Sequence, residues 1–111
     1  MLNKKGNMSA DNTIIVFGTK SSWKREGIVN YRVPERTVYR VGHVQAWDNY
    51  DWYCENQPYN LGAYLHSIFK DCVVHEDRQQ AMNVAYKMQE LIGYVEYGIQ
   101  VIETDLVFYG D

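Results

Sequence analysis

The sequence predicts an α+β domain in which two helices pack on one face of a mainly antiparallel sheet. Two observations favour this class. Several short runs are rich in β-branched residues and end at glycine or turn residues, and the segment at residues 77–92 has clear helical periodicity. The chain has 111 residues, the size of one domain, and 46% of them are hydrophobic, as in folded rather than disordered chains. We expect residues 1–12 to be a disordered lead-in and residues 13–111 to form a single domain.

Strand patterns occupy the first half of the chain. Residues 13–18, "TIIVFG", are apolar and mostly β-branched, and they predict a buried strand. Residues 19–27 are polar and predict a loop. Residues 28–47 predict a hairpin, because Pro34 and Glu35 supply a turn between two β-branched segments.

Two helices and three further strands are predicted in the second half. The first helix follows Asn60, a suitable N-cap, and has apolar residues at helical spacing. These are Leu61, Tyr64, Leu65, Ile68 and Phe69. The second helix begins after Asp77, whose spacing to Gln80 is that of a capping box, and it ends before Gly93. The three runs that predict strands are residues 72–75, 97–103 and 106–110.

Charge is distributed unevenly along the chain. Residues 1–45 contain eight basic and three acidic side chains, whereas residues 46–111 contain three basic and eleven acidic ones. Such polarity favours an anionic ligand near the basic half, although two solvated surfaces that merely differ in charge would give the same pattern. The net charge of −3 argues against duplex nucleic acid as a partner, because such binders present an overall basic face.

The sequence also indicates the cellular compartment of the protein. No apolar run approaches the roughly 20 residues that cross a bilayer, so we expect no membrane partner. The N-terminal residues lack the apolar stretch of a signal peptide. We therefore expect a cytoplasmic protein in which Cys54 and Cys72 are free thiols.

Catalytic and metal-binding patterns are weak. Suitable ligand types are present at Cys54, His66, Cys72 and His75, but their spacing is poor for zinc, so we expect neither a metal site nor a cofactor. His43 and His66 are the candidates for an acid–base pair that cleaves a phosphodiester bond. The paired H-x-[ST] repeats of two-histidine phosphoesterases are absent, and the enzyme interpretation stays open as an alternative.

Two segments have the composition of a nucleotide site. Residues 18–27 offer backbone amides, hydroxyls and cations that suit a phosphate, although an ordinary solvated loop has the same composition. Residues 47–60 interleave aromatic and acidic side chains without a regular period, which suits base stacking and ribose recognition but also a core. The candidate ligand-binding residues are Lys24, Arg25, Arg32, Arg40, Trp47, Asp48, Asp51, Trp52, Tyr53 and Tyr59.

Three stretches carry a resemblance to a group of proteins. "DWYCENQPYNLGAYL" at residues 51–65, the helix start at residues 76–81 and "GYVEYGIQVI" at residues 93–102 resemble small accessory proteins of bacteriophages. The resemblance covers about residues 40–102. It implies inhibition of host defence: some such proteins sequester cyclic or ADP-ribose-type immune nucleotides, others cleave these signals, and others block a host protein. It assigns no residue a role.

The residues and the resemblance together favour one function. We expect a phage anti-defence protein that binds a nucleotide-derived immune signal in the host cytoplasm without consuming it. Tight binding needs a deep site, so we expect a homo-oligomer, most simply a dimer. The alternatives are a nuclease or phosphodiesterase-like enzyme that cleaves the signal, a protein–protein inhibitor of a host factor, and a purely structural assembly protein.

Overall fold

The computed structural model describes residues 12–45 and 68–107. Its regular elements are β1 (Thr13–Glu26), β2 (Val29–Val44), α1 (Arg78–Ile92) and β3 (Ile99–Val107). Strand β1 lies at the centre of a three-stranded sheet, antiparallel to β2 and parallel to β3. The predicted fold class is therefore wrong, because the described residues form a mixed sheet with one helix and not an antiparallel sheet carrying two.

The inner part of β1, residues 13–19, is buried on both faces. Residues 14–17 are completely inaccessible to solvent, which explains why this segment is continuously apolar instead of alternating. One face packs against Ala81 and Ala85 of α1, whose small side chains let the helix approach the sheet. The other face packs against Phe69 and its neighbours. The predicted buried strand at residues 13–18 is confirmed as the inner part of β1.

The hairpin turn lies seven residues before the predicted position. Glu26 pairs with Val29, so the turn consists of two residues, and Gly27 takes the positive φ of 60° that such turns require. The predicted turn at Pro34 is wrong. Pro34 lies within β2 at a register shift. Ser21 pairs with Arg36, but Trp23, two residues further along β1, pairs with Arg32, which lies four residues before Arg36 in β2. An edge strand tolerates proline at such an irregularity because no ladder hydrogen bond is lost.

The predicted loop at residues 19–27 is also wrong, because residues 19–26 continue β1. We call residues 19–36 the outer hairpin. Its side chains are mostly exposed beyond residue 22, so the ribbon has no buried face that would impose an apolar alternation on the sequence. The alternation of apolar and polar residues that identifies a strand in a sequence is therefore absent here, although the segment forms strands.

Helix α1 is confirmed, including both of its ends. The Asp77 side chain accepts a hydrogen bond from the backbone N–H of Gln79 at 2.9 Å, and Gly93 at φ 93° donates to the carbonyl of Gln89. Most of the first predicted helix lies outside the described residues, and its last members, Ile68 and Phe69, lie in a helical turn.

Strand β3 departs from expectation in two ways. The two strands predicted at residues 97–103 and 106–110 correspond, within the described residues, to one strand with a register shift between Glu103 and Val107. Its parallel pairing with β1 requires the long crossover that contains α1.

The predicted strand at residues 72–75 is reduced to an isolated bridge between His75 and Tyr39.

Residues 68–76 are fixed on the sheet at two points. The Phe69 ring lies 5.5 Å from that of Phe17, centroid to centroid, and passes over Gly42. A Cβ atom at Gly42 would overlap the Phe69 ring, so this contact requires glycine. Further along, His75 and Tyr39 exchange two backbone hydrogen bonds of 2.7 and 2.8 Å. These two anchors determine where the side chains between residues 74 and 76 lie.

Candidate functional site

A cleft of about 490 Å³ lies where the outer hairpin meets residues 74–76. Trp23, Lys24 and Arg25 of β1 line it together with Arg36 of β2. Glu76 contributes the one carboxylate among the described lining residues. The cleft thus combines an indole ring with three cations and one anion, which makes it electrostatically positive.

Arg36 is the most strongly held cation of the cleft. Its Nε donates to Oε1 of Glu76 at 2.8 Å, and its Nη2 donates to Oε2 of the same carboxylate. Its Nη1 donates to the backbone carbonyl of Ser21 at 3.0 Å. The guanidinium therefore lies in a fixed plane with two parallel bonds to a carboxylate, the strongest geometry available to this group.

The register shift in the hairpin positions the indole. The Ser21 hydroxyl donates to the Trp23 carbonyl at 3.1 Å and also accepts from the Trp23 backbone N–H at 3.2 Å. These bonds close a tight local turn of the strand. The same irregularity that accommodates Pro34 in β2 therefore sets the direction of Trp23 in β1.

Arg32 supports the indole from outside the cleft. Its guanidinium carbon lies 4.9 Å from the ring centroid of Trp23, within the range of a cation–π interaction. Arg32 itself does not line the cleft, whereas Trp23 does and remains 37% exposed. The ring is thus held by a cation on one side and retains accessible surface for a ligand.

Two carboxylates set the electrostatics of this region. The hydrogen bond from Arg36 lowers the pKa of Glu76, and the charges of Arg36 and Lys24 act in the same direction. A hydrogen bond to Glu26 raises the pKa of Tyr31, which also lies in the field of Glu76. Glu76 is therefore ionised and Tyr31 neutral throughout the physiological range.

Stability should decrease in acid because of Glu76. Its pKa is lower in the folded protein than its ordinary value of 4.5, so its ionised form stabilises the fold above that value. This contribution is lost as the pH falls through the lowered pKa. It amounts to at most about 1 kcal/mol, because the Glu76 side chain is 44% exposed and water screens the pair.

Urea unfolding of the wild type and of Glu76→Gln at about pH 7 and about pH 3 measures this contribution. The difference in free energy of unfolding between the two proteins should be larger at the higher pH and smaller at the lower one. Glu90→Gln is the matched control, since within residues 12–45 and 68–107 Glu90 pairs with Lys87 on the exposed face of α1, away from the cleft. An equal difference at both pH values would contradict the assignment.

The sequence-predicted binding residues fall into three groups. Lys24 and Arg25 line the cleft, and Arg32 supports its indole. Arg40 lies in the core, only 4% exposed, where its Nη1 donates to the Thr19 hydroxyl at 3.2 Å. The remaining candidates lie outside the described residues: Trp47, Asp48, Asp51, Trp52, Tyr53 and Tyr59.

The candidate catalytic histidines do not meet at the cleft. His43 pairs with Ile14 in the sheet, its Nε2 is buried, and it does not line the cleft. His66 lies outside the described residues. Within residues 12–45 and 68–107, no three His, Cys, Asp or Glu side chains come together as metal ligands would. Burial raises the pKa of the Cys72 thiol, which keeps it protonated.

Sequence reasoning missed Trp23, Arg36 and Glu76. A signal for Trp23 was present, because it directly precedes Lys24 and Arg25, and an aromatic ring beside two cations is a common feature of anion sites. No local signal connects Arg36 with Glu76, which are forty residues apart. Only the bridge beside Glu76 brings them together.

In the described part of the chain, no helix is both long and apolar enough to cross a membrane. Comparisons with protein-family models, with curated proteins and with solved structures give no match to this chain. The chemistry of the site therefore follows from its own geometry: an accessible indole, three cations and a carboxylate around one cleft.

Proposed function

We propose that this protein binds a nucleotide-like ligand in the cleft of the outer hairpin and holds it without changing it chemically. One observation carries the proposal: the indole of Trp23 and the cations of Lys24, Arg25 and Arg36 line the same cleft. A flat aromatic surface beside clustered positive charge is complementary to a base joined to a phosphate.

The dimensions and polar groups of the cleft support this proposal. Its volume of about 490 Å³ lies within the roughly 300–1,000 Å³ of typical small-molecule sites. A base would stack on the accessible surface of Trp23, and Arg32 on the other side would strengthen the stack. The Asn30 amide, which also lines the cleft, carries both a donor and an acceptor for a base edge or a ribose hydroxyl.

Binding is favoured over cleavage by the lining residues. None of those described is a histidine or a cysteine. The carboxylate of Glu76 is bonded to Arg36 and has a lowered pKa, which makes it a poor general base near neutral pH. The chemistry available in the cleft is therefore recognition of an anion.

The resemblance to phage accessory proteins supports a proposal for the ligand and for the biological role of binding it. The ligand would be a nucleotide-derived immune signal of the host, of the cyclic or ADP-ribose type, and the protein would sequester it in the host cytoplasm. We further propose a homodimer, because tight binding is favoured by a deep site that a second subunit helps to form.

A thermal-shift screen against cyclic nucleotides, ADP-ribose derivatives and mononucleotides tests the proposal. A ligand at a hundred times its Kd should stabilise the protein by about 2.7 kcal/mol, and mass spectrometry should recover it intact. Recovery of fragments would favour the enzyme alternative. The absence of a shift with every compound would contradict nucleotide binding.

One observation favours the alternative of a protein–protein inhibitor. Ile28 lies in the hairpin turn, where polar residues are usual, and is 92% exposed, while Val29 at the start of β2 is 58% exposed. Adjacent exposed apolar side chains beside a charged surface are typical of docking sites. An Ile28→Asp variant that loses capture of a host protein but still binds nucleotide would separate the two surfaces.

A further inference from the structure

We propose that the Glu76 carboxylate occupies the subsite of the ligand's phosphate and that the ligand binds by displacing it. This inference rests on the proposed function and specifies where the anionic end of the ligand lies. Glu76 would then act as an internal competitor that determines which anions the cleft accepts.

Arg36 holds the Glu76 carboxylate in the geometry in which a guanidinium binds a phosphate. Its Nε and Nη2 donate to the two oxygens of a single carboxylate, one bond to each oxygen. A phosphate with two non-bridging oxygens accepts the same pair of parallel bonds from a guanidinium. The position in the cleft best suited to a phosphate is therefore taken by the protein's own anion.

A second cation, Lys24, acts on the Glu76 carboxylate together with Arg36. The charge of Lys24 lowers the pKa of Glu76 in addition to the effect of Arg36. Both cations line the cleft, one from each strand of the outer hairpin. An anion that replaced the carboxylate would thus meet positive charge from both strands.

The Arg36 guanidinium stays in position when Glu76 leaves it. Arg36 is also held by the Ser21 carbonyl through Nη1, a bond that does not involve Glu76. The Arg36 side chain is 24% exposed and that of Glu76 is 44% exposed. The carboxylate therefore has the freer path to solvent, while the guanidinium stays against the sheet.

This arrangement specifies the ligand class. The ligand must carry a phosphate with two non-bridging oxygens, because a neutral nucleoside leaves Glu76 in place and gains only the stacking contact. AMP and adenosine are the probes that separate these contributions, since they share a base and ribose and differ in the phosphate.

The test is calorimetric titration of AMP into the wild type and into Glu76→Gln. The variant removes the competing charge and should bind AMP roughly two- to fivefold more tightly, the range expected for a partly exposed ion pair. Its affinity for adenosine should not change. Glu90→Gln, which makes the same change in net charge on α1, should bind AMP as the wild type does.

A second variant keeps the test valid if Glu76→Gln alters folding. Glu76→Asp keeps the charge but shortens its reach to Arg36, so its affinity for AMP should lie between those of the wild type and Glu76→Gln. If the wild type binds AMP and neither variant binds it more tightly, the displacement mechanism is wrong while the proposed function stands. If no protein in the series binds AMP or any other nucleotide, the proposed function fails, and this inference fails with it.

Discussion

Phe69→Ala is expected to lower the free energy of unfolding by about 3–5 kcal/mol, the usual cost of removing a buried phenyl ring. Phe69 is completely buried, packs against the ring of Phe17, and covers Gly42 on the face of the sheet opposite α1. The cavity left behind would also free residues 68–76 from one of their two anchors. Glu76 depends on those anchors for its position in the cleft.

Urea unfolding measures this loss directly. Phe69→Leu keeps most of the apolar volume and should cost clearly less than the alanine variant. Gly42→Ala tests the same contact from the strand, and its added methyl group should cost about 1–3 kcal/mol by overpacking against the ring. A Phe69→Ala protein within about 1 kcal/mol of the wild type would contradict the core described above.

Arg36→Met is expected to weaken nucleotide binding by at least roughly tenfold. The substitution removes the guanidinium fork and leaves the Glu76 carboxylate in the cleft without its bidentate partner, where it repels a phosphate. The effect on stability should be small, because the ion pair is partly exposed. Binding and folding should therefore separate in this variant.

Calorimetric titration with AMP provides the measurement, and Arg36→Lys is the matched control. Lysine keeps the positive charge but lacks the planar fork, so its affinity should fall between those of the wild type and the methionine variant. Wild-type affinity in Arg36→Met would place the phosphate elsewhere and would remove Arg36 from the site.

The parts of the fold that the sequence predicted correctly have local causes. Residues 14–17 of β1 are all apolar because both faces of the strand are covered there. Helix α1 has recognisable ends because Asp77 and Gly93 act within a few residues of themselves. Neither feature depends on which distant segment packs against it.

The parts that were missed depend on distant partners. The outer hairpin has no apolar face, so its polar residues were interpreted as a loop, and Pro34 was interpreted as a turn although an edge-strand irregularity accommodates it. The parallel pairing of β3 leaves no mark in its own sequence. The overall class was therefore wrong even though β1 and α1 were placed correctly.

The candidate site shows the same difference between features with local causes and features that depend on distant partners. Lys24 and Arg25 were identified because they are adjacent and basic in a short polar segment. Arg40 was selected for the same charge, but the alternation of β2 directs it into the core beside Thr19. The pairing of Arg36 with Glu76 depends on the bridge that fixes residues 74–76, which no local pattern predicts.

The most direct test of the central claim is an NMR titration of the tryptophan indole N–H signals with AMP. The chain has three tryptophans, at positions 23, 47 and 52, and a Trp23→Phe variant assigns the first signal. Binding in the cleft predicts that the Trp23 signal shifts saturably, with the affinity found by calorimetry. A Trp23 signal that stays in place while AMP binds, or while another indole signal moves, would contradict the cleft as the nucleotide site.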